Sequence, residues 1–158
     1  MTRFDPPLDI RVDDLAGGAT RDLLTFHLAE MHANSPPDSV FALDLSALRS
    51  PSIRVWTAWR GTKIAGVGAL RKHDDRFGEI KSMRTHSDFL RQGVARFILD
   101  HIVDVARGDG LSRLALETGS GDAFDPALRL YRQKGFVKGP AFGDYVASPF
   151  NQFLHLDL

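Results

Sequence analysis

The stretch that most constrains the fold is residues 92–107, where Val94, Ala95, Phe97, Ile98, Leu99, Ile102, Val103, Val105 and Ala106 spread apolar side chains around most of a helix. A helix apolar over so wide a surface is stable only when packed deeply against another element. Its flanks say which. Gly78-Glu-Ile-Lys-Ser-Met-Arg-Thr before it reads as a strand, Gly108 and Gly110 end it, and Leu114-Ala-Leu-Glu-Thr reads as a second strand. Strand, crossover helix and parallel strand make a βαβ unit, whose connection is overwhelmingly right-handed. An α/β fold is therefore expected, with this helix laid across a sheet.

The remaining elements follow from periodicity. Leu8-Asp-Ile-Arg-Val alternates and reads as a first strand. Leu23, Leu24, Phe26, His27, Leu28 and Met31 recur at helical spacing over 20–32, before Asn34-Ser35-Pro36-Pro37. A second helix is expected over 39–48, with Val40, Leu43, Ala47 and Leu48 inward. Ile53–Trp59 and Ile64–Leu70, around Gly61-Thr62, form a hairpin. Gly66 and Gly68 lie two apart, so one strand face is open to close approach by a backbone, side chain or ligand. Residues 78–85 complete a meander after the turn at His73-Asp-Asp-Arg. Strict alternation there puts Glu79, Lys81, Met83 and Thr85 on one face and Ile80, Ser82 and Arg84 on the other, unless a bulge intervenes. Asp125 is expected to cap a helix with Pro126 at its first position and Gly135 at its end. Phe136-Val137 and residues 151–156 supply the last strands, on either side of a loop over 140–149.

Composition narrows the function. Zero net charge argues against a general electrostatic nucleic-acid binder, although Arg91 and Arg96 form a local basic patch. The absence of cysteine excludes disulfides, a thiol nucleophile and thiolate metal ligands. His27 and His32, five apart, do not share a helix face well, and no metal is expected. No apolar run approaches the roughly 20 residues of a membrane span, and Met1–Asp9 lacks the apolar core of a signal peptide, so a cytoplasmic protein without membrane or nucleic-acid partners is expected. With no repeat or linker, residues 1–158 read as one domain.

Two segments carry chemistry. Phe-Leu-Arg-Gln-Gly-Val-Ala-Arg, 89–96, opens the central helix, where unpaired backbone N–H groups and the helix dipole suit a pyrophosphate. Ala-Leu-Arg-Leu-Tyr-Arg-Gln-Lys-Gly-Phe, 127–136, places Tyr131 near the end of a short helix. In this order and spacing the chain resembles the GNAT superfamily of acyl-CoA-dependent N-acyltransferases over essentially its whole length. Gly93-Val94-Ala95 matches the second half of that family's Arg/Gln-x-x-Gly-x-Gly/Ala loop, with Leu90 at the first position. Ala127, Leu130, Tyr131, Gly135 and Phe136 match its later helix, with Phe124 where an asparagine is common. Both departures shift weight onto backbone amides. Residues 35–40, 78–85 and 142–145 look like those of a bacterial GNAT branch whose acceptors are poorly defined.

The resemblance implies a mixed central sheet of about six to seven strands with a three-strand antiparallel meander, a βαβ unit and four helices. It implies acetyl-CoA as donor, with Met83 and Thr85 offering backbone groups to the pantetheine arm and Arg91, Gln92, Gly93, Val94, Ala95 and Arg96 around the pyrophosphate. An attacking lysine-like amine, with a pKa of about 10.4, must first lose a proton. Glu79 and Glu117 are the candidate bases, directly or through water. Full proton transfer from a tyrosine near 10 to a thiolate near 8.5 is uphill by about 2 kcal/mol, so Tyr131 is expected to donate a hydrogen bond to developing sulfur charge. Met31, Ser39, Arg84, Asp144 and Tyr145 are candidates for the acceptor side. Arg84 could hold an acceptor carboxylate or pair with Glu79 or Glu117. The expected activity is acetylation of a small or amino-acid-like amine. The alternatives are a non-catalytic acyl-CoA-binding module and a protein lysine or N-terminus as acceptor. A nucleotide-binding domain is disfavoured, since the loop has one glycine and no P-loop lysine. A homodimer is compatible with the resemblance.

Overall fold

The computed structural model describes residues 5–158; the Met1–Phe4 part of the N-terminal stretch lies outside the described residues. Seven strands form one sheet in the order β1-β2-β3-β4-β5-β7-β6. They are β1 (Leu8–Val12), β2 (Ile53–Arg60), β3 (Lys63–Lys72), β4 (Phe77–Thr85), β5 (Arg113–Thr118), β6 (Val137–Lys138) and β7 (Gln152–Asp157). The four α-helices among the described residues are α1 (Gly18–Asn34), α2 (Leu45–Leu48), α3 (Val94–Gly108) and α4 (Asp125–Lys134). No helix among them is long and apolar enough to cross a membrane. β4 and β5, on either side of α3, pair in parallel, and every other neighbouring pair is antiparallel.

The wide apolar surface of α3 is used as its sequence requires. Ile98, Leu99, Ile102, Val103 and Ala106 are fully buried, in one cluster with Trp56, Ala58, Leu70, Ile80, Leu114, Leu116 and Leu154 of the sheet and Leu128 and Tyr131 of α4. Gly66 and Gly68 admit that helix. A Cβ on Gly66 would lie 2.7 Å from Val94 Cγ1, and one on Gly68 would lie 2.6 Å from both Ile98 Cγ2 and Met83 Sδ. The glycine face is therefore filled by side chains of α3 and β4 rather than open to a ligand. On the other face Val55, Val67 and Ala69 pack with Leu15, Leu23, Leu24 and Leu48 beneath α1 and α2. Asp13 Oδ2 ties α1 to β2 by accepting from Thr20 Oγ1 at 2.8 Å and Thr57 Oγ1 at 2.9 Å.

Three local expectations are corrected. The second helix does not run over 39–48: Pro37–Ser39 is a 3₁₀ turn, residues 40–44 are irregular, and only Leu45–Leu48 is helical, capped by Asp44 through Ala47 N. The cap at Asp44 interrupts what periodicity joined. Phe124, not Asp125, is the N-cap of α4, so Asp125 opens the first turn, where its charge favours the helix dipole. Alternation along β4 also breaks. Val67 pairs with Arg84 and Ala69 with Lys81, so Ser82 and Met83 together oppose Gly68, and Ser82 takes a φ of 57°. This bulge moves Arg84 to the α1 side with Glu79 and Lys81, while Met83 turns toward α3.

The bulge belongs to a larger irregularity. β4 and β5 pair only through Phe77, Gly78 and Glu79 with Arg113, Leu114 and Ala115. β4 then runs on to Thr85 and β5 to Thr118 without pairing each other, so the sheet is open between the C-terminal halves of two central strands.

Candidate active site

At one side of the opening is the start of α3. Arg91 and Gly93 both adopt left-handed backbone, φ 61° and 78°, turning the chain sharply from a 3₁₀ turn at Ser87–Phe89 into the helix. No side chain caps this end and no acidic residue lies in its first turn. The amides of Val94, Ala95 and Arg96 are thus free for an anion, and nothing would lie within 4 Å of a Cβ on Gly93. Arg91 and Arg96 are exposed, Gln92 and Ala95 half-buried, and Val94 is locked in the core. Thr85 pairs with Gly66 at the end of β4, leading into this turn.

On the α1 side, Glu79 is 1% exposed and saturated with partners. Its Oε1 meets His73 Nε2 at 2.8 Å, and its Oε2 accepts from Tyr145 Oη at 2.5 Å and Lys81 Nζ at 3.1 Å. Lys81 Nζ also donates to Tyr145 Oη at 2.8 Å. Tyr145 is clasped by Phe41, Phe142 and Phe153 at centroid distances of 5.2, 5.1 and 5.7 Å, which pins the loop 139–151 over the cluster. Burial first, then the charge of Glu79, pushes the Tyr145 hydroxyl far above its ordinary range, so it stays a proton donor.

Glu117 differs from Glu79 in having no such partners. It lies on β5 opposite Phe153, and its buried Oε2 makes no hydrogen bond. Burial pushes its carboxyl up to about 7, with Lys81 opposing and Glu79 adding to the rise. A carboxylate poised near neutrality with an orphaned oxygen has the properties of a general base.

Tyr131, on α4, is buried in the cluster it shares with α3 and the sheet. Its ring is buried against Phe136 at a centroid distance of 5.7 Å, and its hydroxyl has no hydrogen-bond partner among the described residues. Burial raises its pKa far above the ordinary tyrosine range, partly offset by the charge of Arg84, which comes from the opposite face. Arg84 does not pair with Glu79 or Glu117. Its Nε donates instead to Nδ1 of His27 on α1, at 3.0 Å.

Glu79, Glu117 and Tyr145 are thus brought together on one side of the opening, and Arg84 stands farther along β4 on that side. Asp144 is exposed on the covering loop. Ser39 is half-buried at the end of the 3₁₀ turn, and Met31 packs partly buried against the α3 cluster. His73, Lys81 and His27 complete the polar arrangement, though sequence reading assigned them no role in it. His73 could have been found from its place in the β3–β4 turn, close to Glu79 across the hairpin. His27 carries no such signal, because its meeting with Arg84 depends on the bulge.

The architecture is shared with a GNAT family acetyltransferase from Elizabethkingia anophelis whose structure has acetyl-CoA bound: TM-score 0.69, 19% identity, 96% of this chain and 98% of that chain covered. The acetyltransferase (GNAT) family model matches residues 20–136. A Bacillus subtilis (strain 168) protein named uncharacterized N-acetyltransferase YsnE is 46% identical over 147 residues, 93% of this chain and 97% of that protein. Uncharacterized N-acetyltransferase YedL of Escherichia coli (strain K12) is 44% identical over 149 residues, 94% of each. The chain belongs to the GNAT acetyltransferase family and is an acyltransferase enzyme.

Proposed function

We propose that this protein, as one catalytic domain over 1–158, transfers an acetyl group from acetyl-CoA to the amine of a small acceptor by direct attack on the thioester. The observation that carries this reading is the opening between β4 and β5, with an uncapped helix start at one side and the orphaned carboxylate of Glu117 on the unpaired part of β5. The amides of Val94, Ala95 and Arg96 would take the pyrophosphate, with Arg91 and Gln92 beside it. The unpaired edge of β4 through Met83 and Thr85 would take the amides of the pantetheine arm as an added strand does.

Glu117 accepts the proton of the attacking amine. At about 7 its pKa leaves a substantial ionised fraction at neutral pH, while Glu79 is engaged with three donors and holds Lys81, Tyr145 and His73 in place. A carbon–nitrogen bond forms to the acyl carbon, the carbon–sulfur bond breaks, and the electron pair leaves on sulfur. Tyr131 donates a hydrogen bond to that sulfur. Its raised pKa makes it a still poorer source of a free proton than an ordinary tyrosine, which favours stabilisation over transfer.

Calorimetric titration with acetyl-CoA and thiol release over a library of amines test the reading. Binding with turnover, and a severalfold or larger loss in Tyr131→Phe, support it. Tight binding without turnover on any amine points to an acyl-CoA-binding module, and turnover on protein lysines or N-termini alone redirects the acceptor.

A further inference from the structure

Arg84 is half-buried, yet no carboxylate lies within ion-pair distance of it among the described residues. Glu30 of α1 bears on it electrostatically but meets Asn34 Nδ2 at 3.5 Å. A partly desolvated guanidinium with no counter-charge in direct contact is costly unless a ligand supplies one. This one is held ready. Nε is fixed on His27 Nδ1 at 3.0 Å, and the Phe26 ring lies 5.8 Å from the guanidinium carbon. The two terminal nitrogens make no hydrogen bond among the described residues, leaving a planar pair of donors shaped for a carboxylate.

His27 makes that hold dependable. It is 6% exposed, and burial followed by the charge of Arg84 pulls its pKa down to about 3, so at neutral pH the ring is uncharged and its Nδ1 lone pair accepts. Location favours a counter-charge other than the donor's phosphates. The bulge at Ser82 and Met83 turns Arg84 to the α1 side, the side of Glu117, whereas α3 packs on the opposite face.

We propose that Arg84, positioned by His27, binds the carboxylate of the acceptor, so that the acceptor is an amino acid or another small amino carboxylate. The assignment rests on the acyl-transfer reading above.

The test compares thiol release from acetyl-CoA with matched acceptors: leucine and 3-methylbutylamine, phenylalanine and 2-phenylethylamine, and the other common amino acids beside their decarboxylated amines. At least one amino acid should exceed its amine roughly 10- to 100-fold in kcat/KM, as expected for a charged hydrogen-bonded pair. Arg84→Gln should erase that difference through KM, and Arg84→Lys should recover part of it. His27→Leu should raise the amino-acid KM with kcat kept, and His27→Gln, which retains an acceptor oxygen, should restore it. A merely structural histidine would not give that split and rescue.

Calorimetric titration of the corresponding N-acetyl amino acids should show binding that weakens by the same factor in Arg84→Gln, while acetyl-CoA affinity is unchanged. Amines used as well as amino acids, or Arg84→Gln weakening acetyl-CoA instead, overturn the proposal. Failure of acyl transfer itself reads differently, as absence of acetyl-CoA binding and of thiol release. In that case the titration with N-acetyl amino acids still decides the role of Arg84.

Discussion

The two faces of the sheet are built on different principles. Beneath α3 and α4 the contacts are dominated by aliphatic side chains, with glycines at positions 66 and 68 where the helix comes closest. Beneath α1, α2 and the 139–151 loop the sheet carries Asp13 with Thr20 and Thr57, Glu79 with Lys81, His73 and Tyr145, and Arg84 with His27. The first face holds the fold together and aims the start of α3. The second holds polar groups in fixed places, those of Glu79, Lys81, Tyr145 and Arg84 along β4 and its covering loop. In our reading, donor recognition depends largely on backbone, whereas acceptor recognition depends on side chains.

Glu117→Gln sets the two faces apart most sharply. It should lower kcat by about 10²- to 10⁴-fold, the usual worth of a positioned base. It should also raise the melting temperature at pH 8. The folded pKa of Glu117, about 7, is above its reference value of 4.5, so its stabilising contribution is full below 4.5 and lost as pH rises through 7. At pH 8 the wild type bears a buried charge that glutamine avoids; at pH 4 the advantage should vanish. A melting temperature unchanged by the substitution at pH 8 would break this part of the comparison.

Ile98→Ala, on the aliphatic face, should cost about 2–5 kcal/mol in urea unfolding. Its kcat should stay near wild type while the protein is folded, the reverse of the Glu117 pattern. Tyr131→Phe should lower kcat roughly 10- to 100-fold, about 1.4–2.7 kcal/mol, with the KM for acetyl-CoA nearly kept. Gly93→Ala should show the smallest effect. Its φ of 78° costs an L-residue about 1–2 kcal/mol, and a helix start that relaxes should bind acetyl-CoA severalfold less tightly in titration.

The aliphatic face was largely legible in the sequence, because the apolar periodicity of 94–106 and the flanking strands leave few other arrangements. The strand order along the chain and the hairpin were legible for the same reason. The polar face was legible only in its residue types. Glu79 and Glu117 stand out as strand carboxylates, but which is saturated and which is orphaned depends on His73, Lys81 and Tyr145, the last of these 66 positions away from Glu79. Strict alternation puts Arg84 on the wrong face, and only a bulge, which the sequence does not locate, changes that. The bulge that turns it lies opposite Gly68, where α3 comes close, a tertiary fact with no period of its own. The second helix shrank because the Asp44 cap starts a new turn late, and periodicity does not register a cap inside an apolar pattern.

The most direct measurement is kcat as a function of pH at saturating acetyl-CoA and acceptor, for the wild type, Glu117→Gln and Glu79→Gln. If Glu117 takes the proton, wild-type kcat falls tenfold per unit below a pH of about 7 and levels off above it, and Glu117→Gln is slow with that inflection gone. Glu79→Gln should keep the inflection, displaced by the loss of a neighbouring negative charge. An unchanged inflection in Glu117→Gln, or its disappearance in Glu79→Gln alone, contradicts the assignment of the base.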